Sequence, residues 1–116
     1  MRCGSKVLAA ALGCSAVPAA AAQGGYENGN ELYASCTSQK IDERGICLGY
    51  VIGTVDTYLA LQEVGKVGKA ICIPKGVLAG ELRDVVAKYL ADTPGERHFD
   101  AESLVWVAVF HAFPCK

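Results

Sequence analysis

The chain is poor in the residues from which active sites are built. It has two histidines, one tryptophan and one methionine in 116 residues. No G-x-S-x-G, no Gly-rich phosphate loop and no H-E-x-x-H occurs, which leaves the common hydrolase, nucleotide-binding and zinc-protease signatures without support. There is no C-x-x-C. His111 and Cys115 are four residues apart, but with no further ligand at metal-binding spacing they do not make a zinc site. No run of Lys or Arg is present, which removes the electrostatic footprint of a nucleic-acid or lipid-surface binder. Asp92, Glu96 and Asp100 could supply a carboxylate pair, yet nothing in the sequence sets the separation that such chemistry needs. Repeats and low-complexity segments are absent too. The expectation is a protein that is not an enzyme and carries no cofactor or metal.

What is present begins with an export signal. Arg2 and Lys6 precede an apolar stretch from Val7 to Ala22, which closes on Ala20-Ala21-Ala22 before Gln23. A basic start, an apolar middle and a small-residue end are the three parts of a secretory signal peptide. The stretch is broken by Gly13, Ser15 and Pro18, and is shorter than the ~20 apolar residues of a membrane-spanning helix. Cleavage after Ala22 is therefore expected, with residues 1–22 as the signal peptide. "ALGC", ending at Cys14, faintly resembles a lipoprotein box, but the apolar run before it is short and Ala11 suits the leading position poorly.

Cleavage leaves 94 residues with nine basic and twelve acidic side chains, a net charge of −3. One domain is the natural count. Its core must be thin, because small domains bury a smaller share of their surface. Four cysteines remain: Cys36, Cys47, Cys72 and Cys115. An even number in a small exported chain implies two disulfides in an oxidising compartment. Three pairings are open, and spacing does not choose among them.

The polar, Gly-rich "QGGYENG" over 23–29 reads as a flexible leader, and residues 30–116 as the domain. Asn30 is placed to cap a short helix, "ELYASCTSQ". Asp42 is placed to cap a long one in which Cys47, Tyr50, Val51, Thr54, Val55, Tyr58 and Leu61 recur at three- and four-residue steps. Gly49 and Gly53 lie four apart on that helix and suit close packing of a neighbouring helix. Gly65 and Gly68 end it. After the loop around "CIPKG", Leu78, Leu82, Val85, Val86, Tyr89 and Leu90 form one face of a third helix, stopped by Pro94-Gly95. Asp100 caps a last helix, "AESLVWVAVFHAF", which is apolar on all sides from Leu104 to Phe110 and so is expected at the centre of the domain, with His111 a core or boundary residue. The class is all-α, a small disulfide-stapled bundle of about four helices.

Two loops are candidates for contact with a partner. One is "TPGERHFD", where Glu96, Arg97 and His98 crowd beside Phe99; the plainer reading makes Phe99 a hydrophobic staple and leaves the charges solvated. The other is the connector 64–75, with Lys66, Lys69 and Lys75 around Cys72, which reads first as a pinned and solvated link.

Four motifs in order, "CLGYVIGTVD" (47–56), "CIPKGV" (72–77), "VVAKYLADTPGERH" (85–98) and "LVWVAVFHAFPC" (104–115), resemble the Rap/Tai family of small exported immunity proteins of Gram-negative bacteria. The resemblance covers about 47–115. Thr93 stands where the family often has His. The resemblance implies a helical periplasmic protein, often a homodimer, that protects its maker by plugging the cleft of a peptidoglycan amidase toxin delivered by a type VI secretion system. By analogy the contact surface falls on Glu96, Arg97 and His98. Many members of the family have no known toxin, so a periplasmic structural or chaperone-like role is the alternative. With the helices placed in this way, a Cys36–Cys47 bridge across the short link between the first two is easy to close, leaving Cys72 with Cys115. That second bridge closes a loop of about 44 residues, for which chain entropy predicts about 4 kcal/mol.

Overall fold

Asn28 and Glu31 set the first helix by satisfying each other's backbone. The Asn28 side chain accepts from Glu31 N at 3.0 Å, and the Glu31 carboxylate accepts from Asn28 N at 3.0 Å. This capping box starts α1 (Gly29–Cys36) two residues earlier than a cap at Asn30 would. The computed structural model describes residues 24–116. The signal-peptide reading of 1–22, the cleavage at Gln23 and the lipoprotein reading of Cys14 lie outside the described residues.

α2 (Ile41–Glu63) begins after Lys40, whose N–H donates to Ser38 Oγ at 3.0 Å. Asp42 is not the cap. It lies with Glu43 in the first turn, where a carboxylate favours the helix's positive end. The far end closes on Gly65, in the left-handed region at φ 75°. Gly65 N donates to Gln62 O and Lys66 N to Leu61 O, at 3.1 and 2.9 Å. That pair of bonds satisfies the last carbonyls and requires a residue that tolerates positive φ, hence glycine.

α3 (Ala79–Asp92) buries Leu82, Val86 and Leu90, one residue per turn, as the amphipathic pattern requires. Leu78 leaves that face: it is the helix's N-cap and is 66 % exposed. A single 3₁₀ turn, Pro94–Glu96, leads to α4 (Ala101–Ala112). Asp100 occupies the N-cap of α4, but its side chain makes no capping hydrogen bond.

All four helices pack on one another around a core of Leu32, Cys47, Val51, Val55, Ile71, Leu82, Val86, Leu90, Ala101, Leu104, Val105, Ala108 and Val109. Among the described residues there is no strand, only two isolated bridges, Asn28↔Asp100 and Ile71↔Pro114. The all-α class holds. The central placing of α4 does not: Leu104, Val105, Ala108 and Val109 are buried, whereas Val107 and Phe110 stay 36 % and 43 % exposed. Three other helices in so small a domain cover only one side of it.

Cys36 pairs with Cys47 and Cys72 with Cys115. The second bridge sits in a compact tie of the chain's end. Cys72 N donates to Phe113 O at 2.9 Å, and Cys115 N to Ala70 O at 3.0 Å. From the other side Gln62 Oε1 accepts from Ala70 N and Ile71 N, at 2.8 and 2.9 Å, while its Nε2 donates to Ile71 O at 3.0 Å. One glutamine side chain thus does for segment 70–71 what a neighbouring strand would do.

Candidate functional site

The loop from Thr93 to Asp100 is short and polar, and its backbone is braced from three sides. Thr93 Oγ1 donates to Tyr89 O at 2.7 Å, which closes the end of α3. Asn30 N donates to Arg97 O and Gly29 N to Phe99 O, at 2.8 and 2.9 Å, so the first turn of α1 supplies its free amides to the loop. Ala101 N donates to Glu27 O at 2.9 Å. Gly29 must be glycine for this to happen: a Cβ there would lie 2.8 Å from Arg97 O and 2.9 Å from Arg97 Cα, and would run into Leu104.

The three residues singled out in this loop divide in two. Arg97 is turned inward. Its guanidinium lies 3.9 Å over the Tyr33 ring, and its Nε donates to Leu90 O at 2.7 Å. That joins α1, α3 and the loop through one side chain, with cation–π attraction added to a hydrogen bond. Glu96 is exposed, and its Oε1 accepts from the Tyr89 hydroxyl at 2.8 Å. Burial first, and then this carboxylate, push the Tyr89 hydroxyl's pKa up. His98 is exposed, with its ring centroid 4.1 Å from that of Phe99. Phe99 is 51 % exposed. The loop therefore presents an imidazole and a phenyl ring on a rigid base.

A second surface lies between α2 and α4. Gly49, Tyr50, Gly53, Thr54, Thr57, Glu102 and Trp106 line a concavity of about 400 Å³. Among the described residues the two glycines admit no neighbouring helix: a Cβ on either would meet nothing within 4 Å, and both are exposed. Trp106 stands edge-on to Tyr58, with ring centroids 4.8 Å apart. Among the described residues, Trp106 Nε1 and Glu102 Oε2 are buried without a hydrogen-bond partner. Burial pushes the Tyr50 hydroxyl's pKa up to about 12, with Glu102, Glu27 and Asp100 adding to it. Sequence reasoning passed over Glu102 and Trp106. Their four-residue spacing on α4, facing the glycine side of α2, was the available signal.

The remaining candidates are accounted for structurally. His111 is exposed on the last turn of α4, its ring 6.2 Å from that of Tyr89, and is not a core residue. Lys66, Lys69 and Lys75 stay exposed along the connector. Among the described residues no group of three or more His, Cys, Asp or Glu side chains is gathered as a metal site would need, and no helix is long and apolar enough to cross a membrane.

No curated protein matches the chain. The family model of the Rap1a immunity proteins matches residues 28–115, from the cap of α1 to the last cysteine. With nearly the whole described fold inside that match, the chain belongs to the Rap1a immunity protein family.

Proposed function

We propose that this protein is an exported immunity protein that binds and inhibits a peptidoglycan amidase delivered by type VI secretion. It acts in the periplasm by stoichiometric binding rather than by catalysis, and as a homodimer. The observation that carries the reading is the family match over 28–115. The braced loop of Thr93–Asp100 supports it, because a rigid tip loses little entropy when it enters a partner's cleft.

Within that loop Glu96, Arg97 and His98 take different parts. His98, with Phe99 beside it, makes the contact; Glu96 flanks it. Arg97 sets the loop's position from inside through Leu90 and Tyr33.

Co-expression tests the reading. Cells that receive the cognate amidase in the periplasm should lyse without this protein and survive with it. A double change, His98→Ala with Phe99→Ala, should abolish protection while leaving the thermal midpoint within a few degrees. Lysis despite full production of the native protein would end the immunity reading. Protection by the double variant would end the loop assignment alone.

A further inference from the structure

The two bridges differ in what surrounds their sulfurs. Cys47 is fully buried in the core and Cys36 is half-buried. Attack at Cys36 would expel the Cys47 thiolate into apolar surroundings, which disfavour the charged form. Cys72 is exposed, and Cys115 is half-buried between the exposed Pro114 and Lys116. A thiolate left on Cys115 is met by water.

Cys72 also belongs to the wall of a concavity of about 630 Å³, with Leu59, Glu63, Lys69, Ile71 and Ile73. That volume falls within the ~300–1,000 Å³ of small-ligand sites. Leu59, Ile71 and Ile73 give it apolar surface, and Glu63 and Lys69 give it one charge of each sign. Both charged residues are exposed. Among the described residues neither forms an ion pair; those pairs join Lys40 to Glu43, Arg83 to Asp84 and Lys88 to Asp92.

The bridge beside this concavity can open without opening the core. Ile71 is the segment's core residue, 3 % exposed. Gln62 holds it through bonds to Ala70 N, Ile71 N and Ile71 O, none of which involves a cysteine. With the sulfurs parted, the bonds from Cys72 N to Phe113 O and from Cys115 N to Ala70 O still align the two segments.

We propose that the concavity is a thiol–disulfide exchange site, where a small zwitterionic peptide thiol lies between Glu63 and Lys69 and attacks Cys72. The thiol's ammonium pairs with Glu63 and its carboxylate with Lys69. Its thiolate sulfur bonds to Cys72 Sγ as the Cys72–Cys115 bond breaks. The electron pair leaves on Cys115 Sγ, which then takes a proton from water. One S–S bond is lost and one is formed, so the step needs no oxidant. In reverse, the Cys115 thiolate attacks Cys72 Sγ, expels the peptide thiol and recloses the bridge. Cys72 is thus a site of reversible S-thiolation. The proposal stands apart from the immunity reading and does not depend on it.

Glutathione tests this on the oxidised protein near neutral pH, with 2-mercaptoethanol as an uncharged probe. Samples are quenched in acid, alkylated and mapped by mass spectrometry. Glutathione should appear on Cys72 and the alkyl group on Cys115, with Cys36–Cys47 intact and the helical circular dichroism unchanged. Glu63→Gln with Lys69→Gln should slow opening by glutathione about fivefold, the worth of two exposed ion pairs, and leave opening by 2-mercaptoethanol unchanged. Cys115→Ala cannot reclose the bridge, so its Cys72 should take a lasting adduct from oxidised glutathione. An adduct on Cys115, no adduct on Cys72 in Cys115→Ala, or equally fast opening of Cys36–Cys47 would overturn Cys72 as the point of attack. Equal slowing of both probes, or of neither, would overturn the site. Loss of helical signal in step with the bridge would overturn it too, because the thiol would then enter by unfolding.

Discussion

The two disulfides do different work at different ends of the molecule. Cys36–Cys47 joins two consecutive helices, and Cys47 is fully buried in the core. Its sulfur serves as a core hydrophobe as well as a crosslink. Cys72–Cys115 spans 43 positions and ties two irregular segments; Cys72 is exposed. There the bridge acts through chain entropy, helped by two backbone bonds and by Gln62. The lesson is that one linkage can stabilise mainly by packing or mainly by restricting the unfolded chain, and that burial and loop length tell which.

The largest effect that tests this contrast should come from the long loop. Cys72→Ala with Cys115→Ala should cost about 4 kcal/mol, read by urea unfolding of the exported protein. Cys36→Ala with Cys47→Ala closes a shorter loop and should cost about 3 kcal/mol through chain entropy. Replacement by serine separates the two mechanisms. Serine at 36 and 47 should be worse than alanine by ~1–3 kcal/mol, because a hydroxyl then enters the core. Serine and alanine at 72 and 115 should be nearly equal. If the short bridge costs more than the long one even as alanine, packing outweighs entropy and the contrast fails.

Gln62→Leu comes next, at roughly 2 kcal/mol, since it strips the hydrogen bonds from the amides of Ala70 and Ile71. The loss should coincide with faster reduction of Cys72–Cys115 under limiting thiol, and with unchanged reduction of Cys36–Cys47. Equal rates for both bridges would show that Gln62 does not guard that end.

The smallest effect is a titration. Absorbance at alkaline pH should show Tyr50 ionising near 12. Its raised pKa means that the fold favours the neutral phenol. That contribution is complete below the usual tyrosine value of ~10 and is lost as the pH rises through about 12. Glu102→Gln should move the transition down, because one of the neighbouring carboxylates is then gone. An unmoved transition would leave burial, with Glu27 and Asp100, as the cause.

Much of the fold was legible. The four-residue steps of Leu82, Val86 and Leu90 placed α3, and Gly65 ended α2, because each signal is local: a stripe or a left-handed turn needs only its own residues. Caps were less legible. Asn28 and Asn30 are both plausible donors of an oxygen, and the capping box fell to the one with Glu three positions on. The reading of α4 as central failed for a different reason. Uniform apolarity says that a helix can be buried on any side, not how many neighbours there are to bury it, so the exposure of Val107 and Phe110 was hidden. Gly49 and Gly53 misled likewise: small residues permit close approach but do not supply the approaching helix.

For the candidate site, the sequence marked the polar tip at Glu96, Arg97 and His98 but not which way each side chain turns. Arg97 looks inward because Tyr33 and the carbonyl of Leu90 happen to meet there, and those come from two other helices.

Composition and periodicity by themselves determined the helical class, the number of helices and the presence of two disulfides. These follow from short-range spacing and from an even number of cysteines in a small domain. Only the tertiary structure decided which face of α4 stays open, which loop residue turns inward and which stays exposed, and that Gly24 and Gly25 lie close to the carboxylates of Asp100 and Glu102. Those outcomes depend on groups distant in sequence meeting in space, and no local pattern of side chains encodes such a meeting.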